Sequence, residues 1–178
     1  MIGRIQETDW WAALFLVLFD TGERIGAVME LTWENVDMSA GWLTIPAEVR
    51  KGRTRDIVAR LHPETVARLD ALRPRGQKIF PWPYCKTLLW YHLGRVLKAA
   101  GLPHDQRSKF HRMRRTVASY FELAGGNATE LLDHSSRKVT RAYLDGRIIE
   151  RKHPADMIPR PAQSAIITIN HESTDGAA

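Results

Sequence analysis

The sequence predicts an α+β fold, mainly α, in which helices surround one small antiparallel sheet. Three observations carry this. Apolar residues recur at helical spacing in several separate segments, and residues 10–19 are apolar almost all round. Two β-type runs, "WLTIP" and "RDIVARL", face each other across the basic tip "RKGRTR", as the arms of a hairpin do. The chain is 178 residues long and 44% hydrophobic, enough for one domain with a sizeable core.

Thr8 or Asp9 is placed to cap a first helix running to about Phe19, and Gly22 ends it. Its apolar run of ten residues is shorter than the ~20 of a membrane span. Glu7 and Asp9 before it, and Asp20 after it without a small-residue cleavage site, do not fit a secretory signal. It reads as a buried helix. A second short helix follows over residues 24–31, with Ile25, Val28, Met29 and Leu31 apolar. "WENVDMSAG" then turns into the hairpin, and "HPETVARLDAL" is a helix begun at Pro63. The loop "RPRGQKIFPWP" leads to a long helix over residues 84–100, closed by Gly101 and Pro103. A basic helix containing "HRMRRTVASYF" ends near Gly125 and Gly126, and "ATELLDH" and "SRKVTRAYL" are two short helices. From about Pro154 the composition shifts to Pro, Ala, Ser, Thr and Asn, which reads as a largely flexible tail. Residues 1–153 are therefore assigned to the domain and 154–178 to the tail, where "SAIITI" is apolar enough for one strand against a sheet edge. There is no internal repeat.

The net charge is +6, with arginine much commoner than lysine, which favours a polyanionic partner. The single cysteine, Cys85, has no disulfide partner, and a reducing cytoplasm fits. No Walker-type loop, zinc pattern or G-x-S-x-G serine signature is present. His104 and His111 are seven apart, off metal-ligand spacing, so neither a metal nor a cofactor is expected.

The segment "HRMRRTVASYF" raises a physical question. At about 100° per residue, Phe110, Met113, Val117 and Phe121 form one apolar stripe about 80° wide. Arg114 projects about 40° from Phe110, at the border of that stripe, with His111 farther round and Arg112 pointing away. An arginine at the edge of a core needs an anionic partner, because an unpaired buried charge is costly. A carboxylate would serve, and so would a phosphate that arrives later.

Basic residues in three further places, and one tyrosine, share the question. Arg24 follows the "DTGE" turn, Lys51 sits on the hairpin tip, His111 and Arg114 share a helix face, His134 follows "ELLD", and Tyr143 falls nine residues later. Singly, each has an ordinary structural explanation as a cap, a solvated charge or a packed ring. Together they form a pattern. "TGERIGAVMELTWENVD" resembles the first arginine box of the tyrosine recombinases (phage integrases), T-G-x-R-x-x-E-x-x-x-L-x-W-x-D-(I/V)-D. "HRMRRTVASYF" resembles their H-x-L-R-R-T-x-A-(T/S)-x-(F/L) box, and "LLDHSSRKVTRAYLD" their L-L-G-H-S-S-…-Y. The resemblance runs over residues 10–144, in matching order.

The resemblance implies the mainly helical catalytic domain of that family, with a small antiparallel β-sheet, and an enzyme that breaks and rejoins DNA without metal or ATP. A tyrosine hydroxyl, here Tyr143, attacks a phosphodiester to give a 3′-phosphotyrosyl bond and a free 5′-hydroxyl. Arg24 and Arg114 would clamp the non-bridging oxygens, His111 would take or share the tyrosine proton, and His134 would donate to the phosphate. Lys51 would protonate the departing 5′-oxygen. Arg50, Arg53, Arg55, Lys109 and Arg115 are the expected DNA contacts, with Arg50 or Arg53 as stand-ins for Lys51. The implied partner is double-stranded DNA, with self-assembly into a tetrameric synapse on it, no membrane, and a cytoplasmic, nucleoid-associated location.

Departures are informative. Asp133 stands where the family usually has glycine, beside the expected phosphate site, and Ala27 replaces a common glutamate. Only nine residues precede the first predicted core helix, so the family's preceding core-binding domain and usual opening helix have no counterpart, as in a fragment or truncated gene. Two other functions stay open: a DNA-binding remnant impaired in cleavage, and a relaxing enzyme of the type IB topoisomerase kind.

Overall fold

The computed structural model describes residues 4–52, 55–72, 76–104 and 109–149. The central element is α1, Arg4–Thr21, which buries Trp10, Trp11, Leu14, Val17 and Leu18. It begins before the predicted cap at Thr8 or Asp9. Asp9 thus lies inside the helix, where it reaches Arg68 at 3.4 Å. Gly22 ends α1 with φ 61°, its N–H donating to the Leu18 carbonyl at 2.9 Å. A Cβ here would lie 3.3 Å from Val117 Cγ1, so this turn is held close to a later helix.

After one helical turn, α2 (Ile25–Val28), the chain bends at Met29 and Glu30 instead of continuing to Leu31. The bend buries Leu31 completely and lets Thr32 bridge to Lys78. Asn35 accepts from the Thr32 N–H at 2.8 Å and sets the entry to the sheet. The strands are β1 (Val36–Asp37), β2 (Trp42–Ile45) and β3 (Ile57–Arg60), ordered β1-β2-β3 and antiparallel throughout. The predicted hairpin is β2 and β3, in the register Trp42↔Arg60 to Ile45↔Ile57. The third strand, β1, is only two residues long and gave no periodic signal. Leu43 and Ile45 are fully buried while Trp42 is 41% exposed, so the alternation of β2 places one face in the core.

Helix α3 (Pro63–Asp70) starts where the proline indicated, and His62 Nδ1 accepts from the Glu64 N–H. Asp20 at the end of α1 accepts from the His62 N–H at 2.8 Å and from Thr65 Oγ1 at 2.7 Å, fixing α3 to α1. Helix α4 (Lys86–Ala99) buries Leu89 and Leu93 and stops at Gly101, φ 68°. Helix α5 (Lys109–Leu123) is followed by α6 (Ala128–Leu131), capped by the Asn127 side chain, and by α7 (Arg137–Arg141). Ala118, Ala128 and Leu132 form a small second core, with Tyr143 and Leu144 packed against it. The predicted tail, with "SAIITI", lies outside the described residues, as does Arg53.

Candidate active site

Helix α5 buries Phe110, Arg114, Val117 and Ala118, and leaves Phe121 41% exposed. Its buried face is therefore turned from the predicted stripe. Arg114, expected at the border, lies in the middle. The reason is a set of acceptors waiting there. Arg114 Nη1 donates to the Gly22 carbonyl at 2.6 Å and Nη2 to the Leu132 carbonyl at 2.6 Å. Both carbonyls stand at helix ends, where such groups lack intrahelical donors. Glu23 Oε1 lies 3.5 Å from Nη1, and Nε is buried with no partner in the protein among the described residues. Burial lowers the Arg114 pKa to about 10, partly offset by Glu23, so the side chain stays protonated at neutral pH.

Glu23 organises the turn after α1. Its Oε1 accepts from the Arg24 N–H at 2.7 Å and its Oε2 from Arg50 Nε at 3.0 Å. Arg24 is half-buried at the start of α2. Glu23, Arg24, Lys51, Trp90, His111 and Arg114 line one open cleft of about 330 Å³. Lys51 comes to it from the exposed hairpin tip.

Two histidines flank the tyrosine. The His111 ring centroid is 4.7 Å from that of Tyr143 and the His134 centroid 4.6 Å, both edge-to-face. His111 is carried by α5, His134 by the α6–α7 junction, and Tyr143 by the turn two residues past the end of α7, although the sequence places it inside the helix "SRKVTRAYL". The Tyr143 N–H donates to the Thr140 carbonyl at 2.8 Å. His134 Nδ1 lies 3.1 Å from the hydroxyl of buried Thr140, and its Nε2 is buried with no protein partner among the described residues. Burial, then the charges of Arg114 and Arg24, hold the His134 imidazole below its ordinary pKa, against an opposing pull from Asp133. Burial, then Arg114, Arg115 and Arg24, do the same for His111. Both rings are thus held toward the neutral form.

The structure brings Arg24, Lys51, His111 and Arg114 to one cleft and places Tyr143 against both His111 and His134. Arg50 departs from expectation. It is 4% exposed, its Nε on Glu23 and its Nη1 on Asp133 Oδ2 at 2.9 Å and on the Arg55 carbonyl at 3.0 Å. A guanidinium enclosed by two carboxylates is not a surface phosphate contact or a stand-in for Lys51. Burial alone would lower its pKa, but Glu23 and Asp133 outweigh this and raise it. Arg55 and Arg115 are exposed, Arg55 reaching Asp133 Oδ1 at 3.4 Å and Arg115 the Tyr143 carbonyl at 3.4 Å. Lys109 opens α5. Sequence reasoning missed Glu23 and Thr140. Glu23 sits inside the quoted arginine box, and the need of Arg114, at the edge of a core, for an anionic partner was the signal that a carboxylate stood near.

Among the described residues no group of three or more His, Cys, Asp or Glu is arranged to hold a metal ion. Nor is any helix there long and apolar enough to cross a membrane.

In fold, the chain is similar to the XerA recombinase at TM-score 0.68 and 20% identity, covering 88% of this chain and 61% of that one. It is similar to a lambda integrase dimer bound to a COC′ core site at TM-score 0.59 and 22% identity, over 81% of this chain and 44% of that one. It is also similar to the Tn1549 transposon integrase in complex with transposon right end DNA, at TM-score 0.60 and 16% identity, over 80% and 60% of the two chains. The chain thus spans less than two thirds of the length of each of these proteins. No curated protein sequence matches it. The phage integrase family model matches residues 6–147, most of the chain and all the motifs above, and the protein belongs to that family, the tyrosine recombinases.

Proposed function

We propose that this chain is the catalytic domain, over residues 1–153, of a site-specific recombinase that cuts and rejoins double-stranded DNA through Tyr143. The observation that carries the reading is the Tyr143 ring held between His111 and His134, beside a cleft lined by Arg24, Lys51 and Arg114. The Tyr143 oxygen attacks phosphorus and passes its proton to His111, whose lowered pKa keeps it able to accept one. The P–O5′ bond breaks as the 3′-phosphotyrosyl bond forms, and Lys51 protonates the leaving oxygen. Rejoining is the reverse. Bond energy is kept in the protein–DNA link, so no ATP is consumed.

Arg24 and Arg114 offset the extra negative charge of the pentacoordinate phosphorane. Planar, permanently charged donors suit this. Two buried nitrogens with no protein partner among the described residues, Arg114 Nε and His134 Nε2, support a ligand rich in acceptors. The contact of His134 with Thr140 fits as well. Its Nδ1 is 3.1 Å from Thr140 Oγ1, while that hydroxyl is 3.5 Å from the Ser136 carbonyl. The recombinase reading requires the tautomer in which Thr140 donates to Nδ1 and the proton stays on Nε2 for a phosphate oxygen. The DNA contacts proposed are Arg53, Arg55, Lys109 and Arg115, outside the enclosed Arg50. Lambda integrase is seen as a tetramer bound to a Holliday junction, and by analogy we extend tetrameric assembly on DNA to this chain.

The test is to incubate the protein with a pool of nicked duplexes of randomised sequence and look for a denaturant-resistant protein–DNA adduct. Tyr143→Phe should abolish the adduct and leave DNA retention intact. An adduct in that variant, or one mapped to Tyr84, Tyr91 or Tyr120, would overturn the assignment.

A further inference from the structure

Glu23 immediately precedes Arg24, Arg50 precedes Lys51, and Asp133 precedes His134. The three preceding residues form one continuous ion chain, with Arg50 Nε on Glu23 at 3.0 Å and Arg50 Nη1 on Asp133 at 2.9 Å. They belong to separate parts of the fold: the turn after α1, the hairpin between β2 and β3, and the α6–α7 junction. Arg50 spans 27 residues of sequence to Glu23 and 83 to Asp133. The Arg50 and Glu23 side chains are only 2% and 3% exposed, so water competes little for their contact.

We propose that Arg50 is a positioning residue, whose guanidinium ties together the three segments carrying Arg24, Lys51 and His134. The proposal rests on the recombinase reading for the roles of those three residues. Arginine is required because the contacts need a planar fork: Nε serves one carboxylate while Nη1 serves the other and the Arg55 carbonyl. A lysine supplies the charge without that geometry. Asp133 fits the same logic. Its φ of 50° lies in the left-handed region, where glycine is unstrained and aspartate is tolerated. An aspartate at that turn can reach across to the hairpin, and a glycine cannot. The residue that departs from the family pattern is thus the one that closes the ion chain.

The experiment compares Arg50→Lys, Asp133→Gly and the double variant in the 178-residue protein, reading amide hydrogen exchange and adduct formation on the nicked-duplex pool. Arg50→Lys should keep DNA retention but speed exchange by about tenfold or more at both the hairpin tip and residues 134–136. Adduct formation should slow on the order of 10²-fold, as small misplacements of reacting groups do. Asp133→Gly, which the backbone accepts, should speed exchange at the hairpin tip, although that tip is far away in sequence. The double variant should be no slower than Arg50→Lys alone, because both remove one connection. An Arg50→Lys adduct rate within about twofold of the parent, or a hairpin tip indifferent to Asp133→Gly, overturns the proposal. If Arg50→Lys does not fold, the Asp133→Gly exchange decides. A parent protein that forms no adduct but shows the coupled exchange removes the recombinase reading and retains the connection of the three segments.

Discussion

Replacing Arg114 with methionine separates two roles that one side chain combines. Arg114 is 2% exposed and makes two 2.6 Å bonds, to carbonyls at the ends of α1 and α6. Methionine fills similar space and leaves both carbonyls without a donor. Removing one partner from a buried charged network costs about 3–5 kcal/mol. For a domain of this size each kcal/mol lowers Tm by about 2–4 °C, so the melting point should fall by about 6–20 °C. Circular dichroism melts measure this directly. Adduct formation is then followed well below the melting point of the variant. There the loss of a transition-state donor should slow cleavage by about 10²–10³-fold more than any loss of DNA retention. A melting point within about 2 °C of the parent would refute the structural role. A folded variant that cleaves at the parent rate would refute the phosphate clamp.

The pH dependence follows from the two histidines, whose folded pKa values are lowered chiefly by burial. Between those values and the unfolded one near 6.5 the unfolded chain binds more protons, so stability is complete above about pH 6.5 and falls as pH drops through that window. Denaturant midpoints measured from pH 8 to 5 test this, and a midpoint that rises on acidification would contradict it. Gly22→Ala should destabilise by about 1–2 kcal/mol through its left-handed φ alone, with the approach of Val117 at 3.3 Å adding to it; an unchanged midpoint would mean the turn relaxes freely. Arg55→Ala and Arg115→Ala should each reduce the slope of log affinity against log salt by about one, measured by filter retention, and an unchanged slope would remove that residue from the DNA contacts.

Local chemistry was legible in the sequence. Pro63 marked α3, Gly22 and Gly101 marked helix ends, and the alternation in "WLTIP" marked β2, because each signal acts within a few residues of itself. The positions of Arg24, Lys51, His111 and Arg114 around one cleft were expected from the motifs rather than from periodicity. What periodicity misjudged was burial at α5. A hydrophobic stripe counts apolar side chains, so it assigned Phe121 to the core and Arg114 to its border, whereas carbonyls from two other segments drew the arginine inward. Arg50 was misjudged for a related reason. Within "RKGRTR" it is one charge of a basic run, and its partners Glu23 and Asp133 come from distant parts of the chain. Strand β1 had too few residues to show a period.

That pairing also answers the difficulty raised by Asp133. A lone carboxylate beside His134 would oppose a phosphate and weaken any transition state that gathers negative charge. In the structure its two oxygens face Arg50 and Arg55, at 2.9 and 3.4 Å, and Glu23 is paired with the same Arg50. Two carboxylates and two guanidiniums cancel within this group. Arg24, Lys51 and Arg114, the last sharing Glu23 at 3.5 Å, leave a net positive charge along the cleft they line. Arg50 is enclosed, so an incoming phosphate cannot draw it away without taking from the buried Glu23 carboxylate its shorter ion pair. On the proposed recombinase reading, the acidic departure from the family pattern is therefore compatible with cleavage, provided Arg50 is present to pair with Asp133.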